Sequence, residues 1–357
     1  MTTSHQQLIE DTLKNIQPLS RAAMDAAQER QSMLTKPAGS LGRLEALSIQ
    51  LAGIFDDPMP RIEDKVIITM AGDHGVVASG VSAFPQEVTP QMVFNFLHGG
   101  AAINALAGHV GARIVVVDMG VAFDFEPHPD LVIKKVAPGT QNMTERPAMT
   151  RQQAEAAIAA GIEVLSAEIA RGLDIVGTGD MGIGNTTPSA AIAAAFSGED
   201  PAKIAGRGTG VDDEGLKRKV AAIRTALAVN QPSPGDGLDV LAKVGGFEIA
   251  GIAGVILGAA ARRKAVMVDG FISTAAAMIA AALKPEVKPY LISAHRSQEY
   301  GHKLMLDWLG LTPLIDLDFR LGEGTGAAIG ISLAEAACRV LAEMATFAEA
   351  GVSDKGN

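Results

Sequence analysis

Cysteine is nearly missing from this chain: Cys338 is the only one in 357 residues. A single thiol can form no intrachain disulfide and builds no thiolate metal site. Aromatic residues are also scarce, at 4 % of the sequence, so the core has to come from close-packed aliphatic helices and strands. A net positive charge is lacking as well. The formal charge of −10 argues against a nucleic-acid partner or an anionic membrane surface, because both need a basic footprint. The uncharged stretches 249–261 and 270–283 fall short of the roughly 18–20 residues of a spanning helix. Both are rich in Ala and Gly and read as buried helices. Neither the basic nor the apolar region of a secretory signal is visible in Met1-Thr2-Thr3-Ser4-His5-Gln6-Gln7. A cytoplasmic protein with no membrane or nucleic-acid partner is expected, with its termini the least ordered parts.

What is present is a change of pattern along the chain. Leu8, Leu13 and Ile16, and later Leu41, Leu44, Leu47 and Leu51, recur at helical spacing. Residues 1–57 therefore read as helices around a loop at Lys36-Pro37-Ala38-Gly39-Ser40, with Ser40 as an N-cap. From Lys65 onward short apolar runs take over: Val66-Ile67-Ile68-Thr69-Met70, Ile114-Val115-Val116-Val117, Asp174-Ile175-Val176, Ala265-Val266-Met267-Val268, Tyr290-Leu291-Ile292 and Leu314-Ile315-Asp316-Leu317. Continuous rather than alternating hydrophobicity marks strands buried on both faces. With helical segments between them, residues 58–334 read as an α/β catalytic domain with a doubly wound, mostly parallel sheet. Residues 335–357 return as a helix that joins residues 1–57 in a small helical domain built from both chain ends.

Ligands of open parallel sheets bind beyond the carboxyl ends of the strands. The segments at those ends are Gly72-Asp73-His74-Gly75, Asp118-Met119-Gly120, Gly179-Asp180-Met181-Gly182, Asp269-Gly270, Ser293-Ala294-His295-Arg296-Ser297 and Gly322-Glu323-Gly324. A carboxylate between glycines, as at Glu323, has open space around it and backbone N–H groups nearby. That arrangement suits a general base beside a phosphate-bearing substrate. Three turns combine Gly with Thr or Asn ahead of a helix: 179–187, 206–210 and 322–326. None has the Gly-Lys-Ser/Thr of a P-loop, and none has Gly-x-Gly-x-x-Gly in register after the first strand. Each alone is equally well a tight turn, but three on one rim favour a phosphate ligand. His74 and His295 lack the spacing of a dedicated metal site, and no Gly-x-Ser-x-Gly elbow activates Ser82 or Ser297. The loop 80–93 could form a flat pocket from Phe84, Pro85, Gln91 and Met92, or simply connect to the helix near Thr89.

Taken in order, several motifs resemble those of the nicotinate-nucleotide:dimethylbenzimidazole phosphoribosyltransferases of cobalamin lower-ligand synthesis. They are Lys36-Pro-Ala-Gly-Ser-Leu-Gly-Arg-Leu-Glu45, Asp73-His-Gly-Val, Asn95-Phe-Leu-His-Gly-Gly-Ala-Ala-Ile-Asn104, Met181-Gly-Ile-Gly-Asn-Thr-Thr-Pro188, Gly206-Arg-Gly-Thr-Gly210, Gly245-Gly-Phe-Glu248, Ser293-Ala-His-Arg-Ser297 and Leu321-Gly-Glu-Gly-Thr-Gly-Ala-Ala328. The resemblance runs nearly end to end. It implies phosphoribosyl transfer from nicotinate mononucleotide to 5,6-dimethylbenzimidazole, with Glu323 as the base, no metal and no cofactor. It places Phe84, Pro85 and Gln91 around the benzimidazole. Gly182, Gly184, Asn185, Gly208, Lys219, Asp269 and Ser297 fall around the nucleotide. Asp180 stands where the family often carries a glutamate, so it is expected to be a secondary catalytic carboxylate, shorter by one methylene. A homodimer is implied too. Two alternatives remain at this point: a transferase of the same fold acting on a purine or phenol, and a non-catalytic nucleotide-binding protein.

Overall fold

Six strands, all parallel, form one sheet in the order β3-β2-β1-β4-β5-β6. Their ranges are β1 Lys65–Gly72, β2 Arg113–Gly120, β3 Leu131–Ile133, β4 Ile175–Met181, β5 Ala265–Val268 and β6 Leu291–Ser293. The chain starts in the middle at β1, winds outward to β3, and returns to β4 beside β1. That reversal makes the gap between the β1 and β4 carboxyl ends the switch point where such sheets take ligands. This computed structural model describes residues 4–208 and 210–353. Thr209 of the 206–210 turn and the outermost terminal residues lie outside the described residues.

Helices fill the crossovers except the one from β2 to β3. Before the sheet come α1 (Ser4–Asn15), α2 (Arg21–Met33) and α3 (Arg43–Phe55). Between β1 and β2 lie α4 (Val88–Leu97) and α5 (Ala102–Val110), and α6 (Arg151–Ala170) leads into β4. After β4 follow α7 (Thr186–Ser197), α8 (Asp213–Asn230), α9 (Gly237–Val244) and α10 (Phe247–Ala261). Beyond β5 are α11 (Phe271–Leu283), α12 (His302–Leu309), α13 (Thr325–Glu343) and α14 (Phe347–Ala350).

Side chains of a strand alternate between faces, and β1 shows which helix covers which. Ile67 meets Gly324 at the head of α13, whereas Met70 meets Gly251 of α10. One face is therefore layered by α10 with α6 and α1, and the other by α13 with α3 and α5. The small residues have a packing purpose. A Cβ on Gly161 would collide with the carbonyl of Gly251, and one on Gly254 with that of Ile158. Two helix backbones thus touch where α6 crosses α10, which explains how a core poor in aromatic residues reaches full density.

The two chain ends meet as expected. Arg30 of α2 donates to the carbonyls of Leu341, Ala342 and Met344, and Leu34 pairs with Thr346. The helix of the tail begins earlier than residue 335, however, and α13 runs unbroken from Thr325. Among the described residues α13 alone is long and apolar enough to cross a bilayer. It packs as a core helix, with Ala327, Ala328, Ile331 and Ala334 fully buried.

Three local expectations are corrected. The run 314–317 is not a strand: only Ile315 makes a parallel bridge, to His295. Asp318 just beyond has a left-handed φ of 57°, and Leu317 is exposed, so neither the backbone nor the burial suits a further strand. The sixth strand is instead β3, three residues long. Strand β4 extends through Gly177 and Gly179 to Met181 because these glycines admit the side chain of Ile67 and the carbonyl of Glu323. The N-cap of α3 is Gly42 rather than Ser40. The Glu45 carboxylate reaches back to the N–H groups of Gly39 and Leu41.

Candidate active site

Three carboxyl groups converge at the β1/β4 switch point: Asp180 in β4, Asp269 after β5, and Glu323 in the turn before α13. The turn is backbone-strained. Gly322, Glu323 and Gly324 all have positive φ, at 83°, 64° and 97°. For a glutamate that region is unfavourable by about 1–2 kcal/mol. Strain of this kind persists only where the surroundings enforce it. Here they do. The Thr69 hydroxyl donates to the Glu323 carbonyl at 3.0 Å, and the Glu323 N–H donates to the Asp180 carbonyl at 3.2 Å. The Gly324 N–H donates to Asp269 Oδ2 at 3.2 Å.

The Glu323 side chain is 5 % exposed. Its one hydrogen bond is long, 3.4 Å from the Ile103 N–H at the start of α5. Burial raises the Glu323 pKa, and the Ile103 N–H offsets this only partly. Burial, followed by the charges of Asp269 and Glu248, pushes Asp180 well above the ordinary range, with the Asn185 amide opposing at 3.0 Å. Asp269 is pushed up to about 7, chiefly by burial. Carboxyl groups whose pKa values are raised by burial are equipped for proton transfer.

Beneath Asp180 lies a buried pair, His74 Nε2 to Glu248 Oε1 at 2.7 Å. Burial is the largest single influence on His74 and lowers its pKa, but the charge and hydrogen bond of Glu248 together with the charge of Asp73 outweigh it, and the net shift is upward. Next to Asp269, His302 Nδ1 accepts the Ser297 N–H at 2.8 Å. His302 Nε2 is 2.9 Å from Thr274 Oγ1, and that hydroxyl donates to the Gly270 carbonyl at 2.7 Å. The ring is thereby fixed neutral with its proton on Nε2. Burial holds its pKa down at about 3.

Two cavities flank Glu323. A small one of about 90 Å³ is lined by Asp180, Gly182, Asn185, Thr186, Gly208 and Ser297 among others. Lys219 stands behind it, its Nζ donating to Thr186 Oγ1 at 2.6 Å and to the Gly206 carbonyl at 3.1 Å. Burial lowers the Lys219 pKa to about 8, leaving it mainly cationic at neutral pH. A larger, mostly apolar cavity of about 570 Å³ is walled by Phe84, Ala102, Leu106, Phe319, Leu321 and Thr325. Gly322 lines the first, Thr325 the second and Leu321 both, so the turn that carries Glu323 borders each of them, although Glu323 itself is buried and lines neither.

Asp180, Gly182, Asn185, Gly208 and Ser297 therefore share one pocket, with Lys219 one hydrogen bond away. Asp269 lies behind it, spending both oxygens on α13. Gly184 supplies a left-handed turn, φ 87°, against Val77. Of the three residues expected around an aromatic ligand, Phe84 lines the large cavity; Pro85 and Gln91 are exposed and do not. Residues not singled out from sequence include Thr69, Ile103, His302, Glu299 and Arg320. Thr69 and Ile103 act through a hydroxyl and a backbone N–H, which no motif announces. His302 lies just after the Ser297 loop, the one signal that could have pointed to it. Among the described residues no three His, Cys, Asp or Glu side chains are placed to share a metal ion.

A doubly wound parallel sheet with a carboxyl cluster and glycine-rich turns at its switch point is the architecture of an α/β enzyme. Residues 16–352 match a family model described as phosphoribosyltransferase. The nicotinate-nucleotide–dimethylbenzimidazole phosphoribosyltransferase of Roseiflexus sp. (strain RS-1) is 60 % identical over 98 % of this chain and 99 % of its own length. The protein of that name from Chloroflexus aurantiacus (strain ATCC 29366 / DSM 635 / J-10-fl) is 58 % identical over the same shares. A crystal structure of such a transferase from Thermus thermophilus superposes with a TM-score of 0.90 at 44 % identity, covering 94 % of this chain and all of that one. The chain belongs to this phosphoribosyltransferase family and is a pentosyltransferase enzyme.

Proposed function

We propose that the enzyme transfers the 5-phosphoribosyl group of nicotinate mononucleotide to 5,6-dimethylbenzimidazole, releasing nicotinate and forming α-ribazole 5′-phosphate. The observation that carries this reading is the turn of Glu323, a carboxylate of raised pKa whose neighbours Gly322 and Thr325 line, respectively, the small pocket backed by Lys219 and the apolar cavity walled by Phe84. The relatives' names supply the two substrates. The phosphate and ribose go to the turns at Gly182–Asn185 and Gly208 and to Ser297. The flat acceptor goes to the apolar cavity.

In this scheme one benzimidazole nitrogen attacks C1′ as the other loses its proton to Glu323. The C1′–nicotinate bond breaks, and its electron pair returns to the pyridinium nitrogen, which leaves uncharged. Attack opposite the leaving group turns a β-nucleotide into an α-product in one step. Carboxylate charge near C1′ favours the oxocarbenium-like transition state. Asp180, its pKa raised by burial and its side chain fixed by Asn185, assists as a second carboxyl group. Because the leaving group is already cationic, the displacement calls for no cofactor. A cytoplasmic homodimer belongs to the same proposal. The exposed Phe94 and Phe123, packed edge-to-face with the half-buried Phe125, offer apolar surface for a second copy.

The test is nicotinate release by wild type and Glu323→Gln with both substrates. A fall of about 10²–10⁴-fold with nucleotide binding intact supports the base assignment. An unchanged rate moves that role to Asp180. No product from wild type points to a different acceptor, a purine or phenol.

A further inference from the structure

Glu299 is a carboxylate that the mechanism above does not use. It is 8 % exposed, and its Oε2 is buried without a hydrogen-bond partner. Leaving such an acceptor unmatched is costly, so the fold holds it there against a penalty. The residue is placed with care. Its N–H donates to Ser297 Oγ at 3.2 Å. Its carboxyl group lies against Gly206, where any Cβ would collide with Oε2. Lys219 is nearby and feels its charge, yet the hydrogen bonds of Lys219 run to Thr186 and Gly206.

The free oxygen belongs to a side chain that lines the pocket of Asp180, Asn185 and Ser297, and also an adjoining cavity of about 550 Å³. What could satisfy it follows from the chemistry of the ligand. At neutral pH the phosphate and carboxylate of nicotinate mononucleotide are acceptors. Its strong hydrogen-bond donors are the ribose hydroxyls. Asp269 has no oxygen to spare. Asp180 has a free Oδ1, but burial and the neighbouring carboxylates raise its pKa well above the ordinary range, which makes it the weaker competitor as an acceptor.

We propose that Glu299 accepts a hydrogen bond from a ribose hydroxyl of the donor nucleotide and makes the site selective for ribonucleotides over deoxyribonucleotides. This rests on the nucleotide reading given above.

Titration calorimetry of the full chain with nicotinate mononucleotide and its 2′-deoxy and 3′-deoxy analogues tests it without relying on catalysis. A hydrogen bond to a charged acceptor predicts that at least one deoxy analogue binds wild type about 10- to 100-fold more weakly. Glu299→Met, similar in size but without an acceptor, brings the ribonucleotide Kd up to that of the deoxy analogue and erases the ratio. Glu299→Gln, which keeps an acceptor oxygen, restores part of it. Equal binding of all three nucleotides to wild type overturns the proposal, and so does a ratio that survives in a folded Glu299→Met or, if that variant does not fold, a Glu299→Gln ratio as large as wild type's. Absence of ribonucleotide binding to wild type would sink the nucleotide reading itself, and this inference with it.

Discussion

The turn after β5 and the turn before α13 each present one carboxyl group to the same site, and they treat it in opposite ways. Asp269 is fully buried, with Oδ1 taking the Ala327 N–H at 2.9 Å and Oδ2 the Gly324 N–H at 3.2 Å. Glu323 takes a single N–H at 3.4 Å and leaves its other oxygen uncommitted. Two hydrogen bonds from a helix start fix a carboxyl group as a clamp; one weak contact leaves the other with an oxygen free for a ligand. Residue type therefore says less about role than the number of backbone donors around it.

The contrast can be broken most severely at Glu323. The Gln variant is expected to lose about 10²–10⁴-fold in turnover while its urea midpoint stays near that of wild type. In the wild type the base form disappears as pH falls through a pKa raised by burial. The acid limb of the rate profile should consequently lie above the ordinary glutamate value. Moving Glu323 without altering it is the next test. A Cβ at Gly179 would strike the Glu323 carbonyl and lie 2.7 Å from Thr69 Oγ1, so Gly179→Ala should cost about 10²-fold in rate through misplacement of the base.

Asp269→Asn should do the reverse, lowering stability by about 1–3 kcal/mol in urea melts as an amide NH₂ faces a backbone N–H. The group also has a pH signature. Its pKa is raised from 3.8 to about 7 on folding, so the folded state holds the proton more tightly. Its contribution is present at low pH and is lost as pH rises through that window; the Asn variant should flatten this slope. The smallest effect is expected at the cavity wall. Phe84 is 49 % exposed, and Phe84→Ala should raise the acceptor KM about threefold to tenfold, or about 0.5–1.5 kcal/mol, with the nucleotide KM unchanged.

Much of this was legible in the chain because parallel strands carry a strong local signal. Five apolar runs correspond to β1, β2, β4, β5 and β6, and the strand-end rule led to Asp180, Asp269 and Ser297; Glu323 was reached through the 314–317 run, which is not a strand. The misses have physical causes. With only three residues at the sheet edge, β3 cannot announce itself. The 314–317 run has strand-like composition but lies beyond the edge, bridging only at Ile315. Glycine in β4 reads as a turn, whereas here it marks close approach. At the site, motif position put Phe84, Pro85 and Gln91 in one group, but in the structure only Phe84 faces the large cavity, because exposure depends on how the loop leaves β1. The partners of Glu323 are a backbone N–H and a hydroxyl from distant strands and helices, contacts that only tertiary structure creates.

Helix α13 has one more consequence. It starts two residues after Glu323 and continues for 19 residues, roughly 28 Å at 1.5 Å per residue. Its far end is gripped by Arg30 through three carbonyls. The helix is thus a single rod with Glu323 at one end and the N-terminal helices at the other. A shift of α2 or α3 acts on that rod as a hand acts on a lever, and the lever's tip is Glu323.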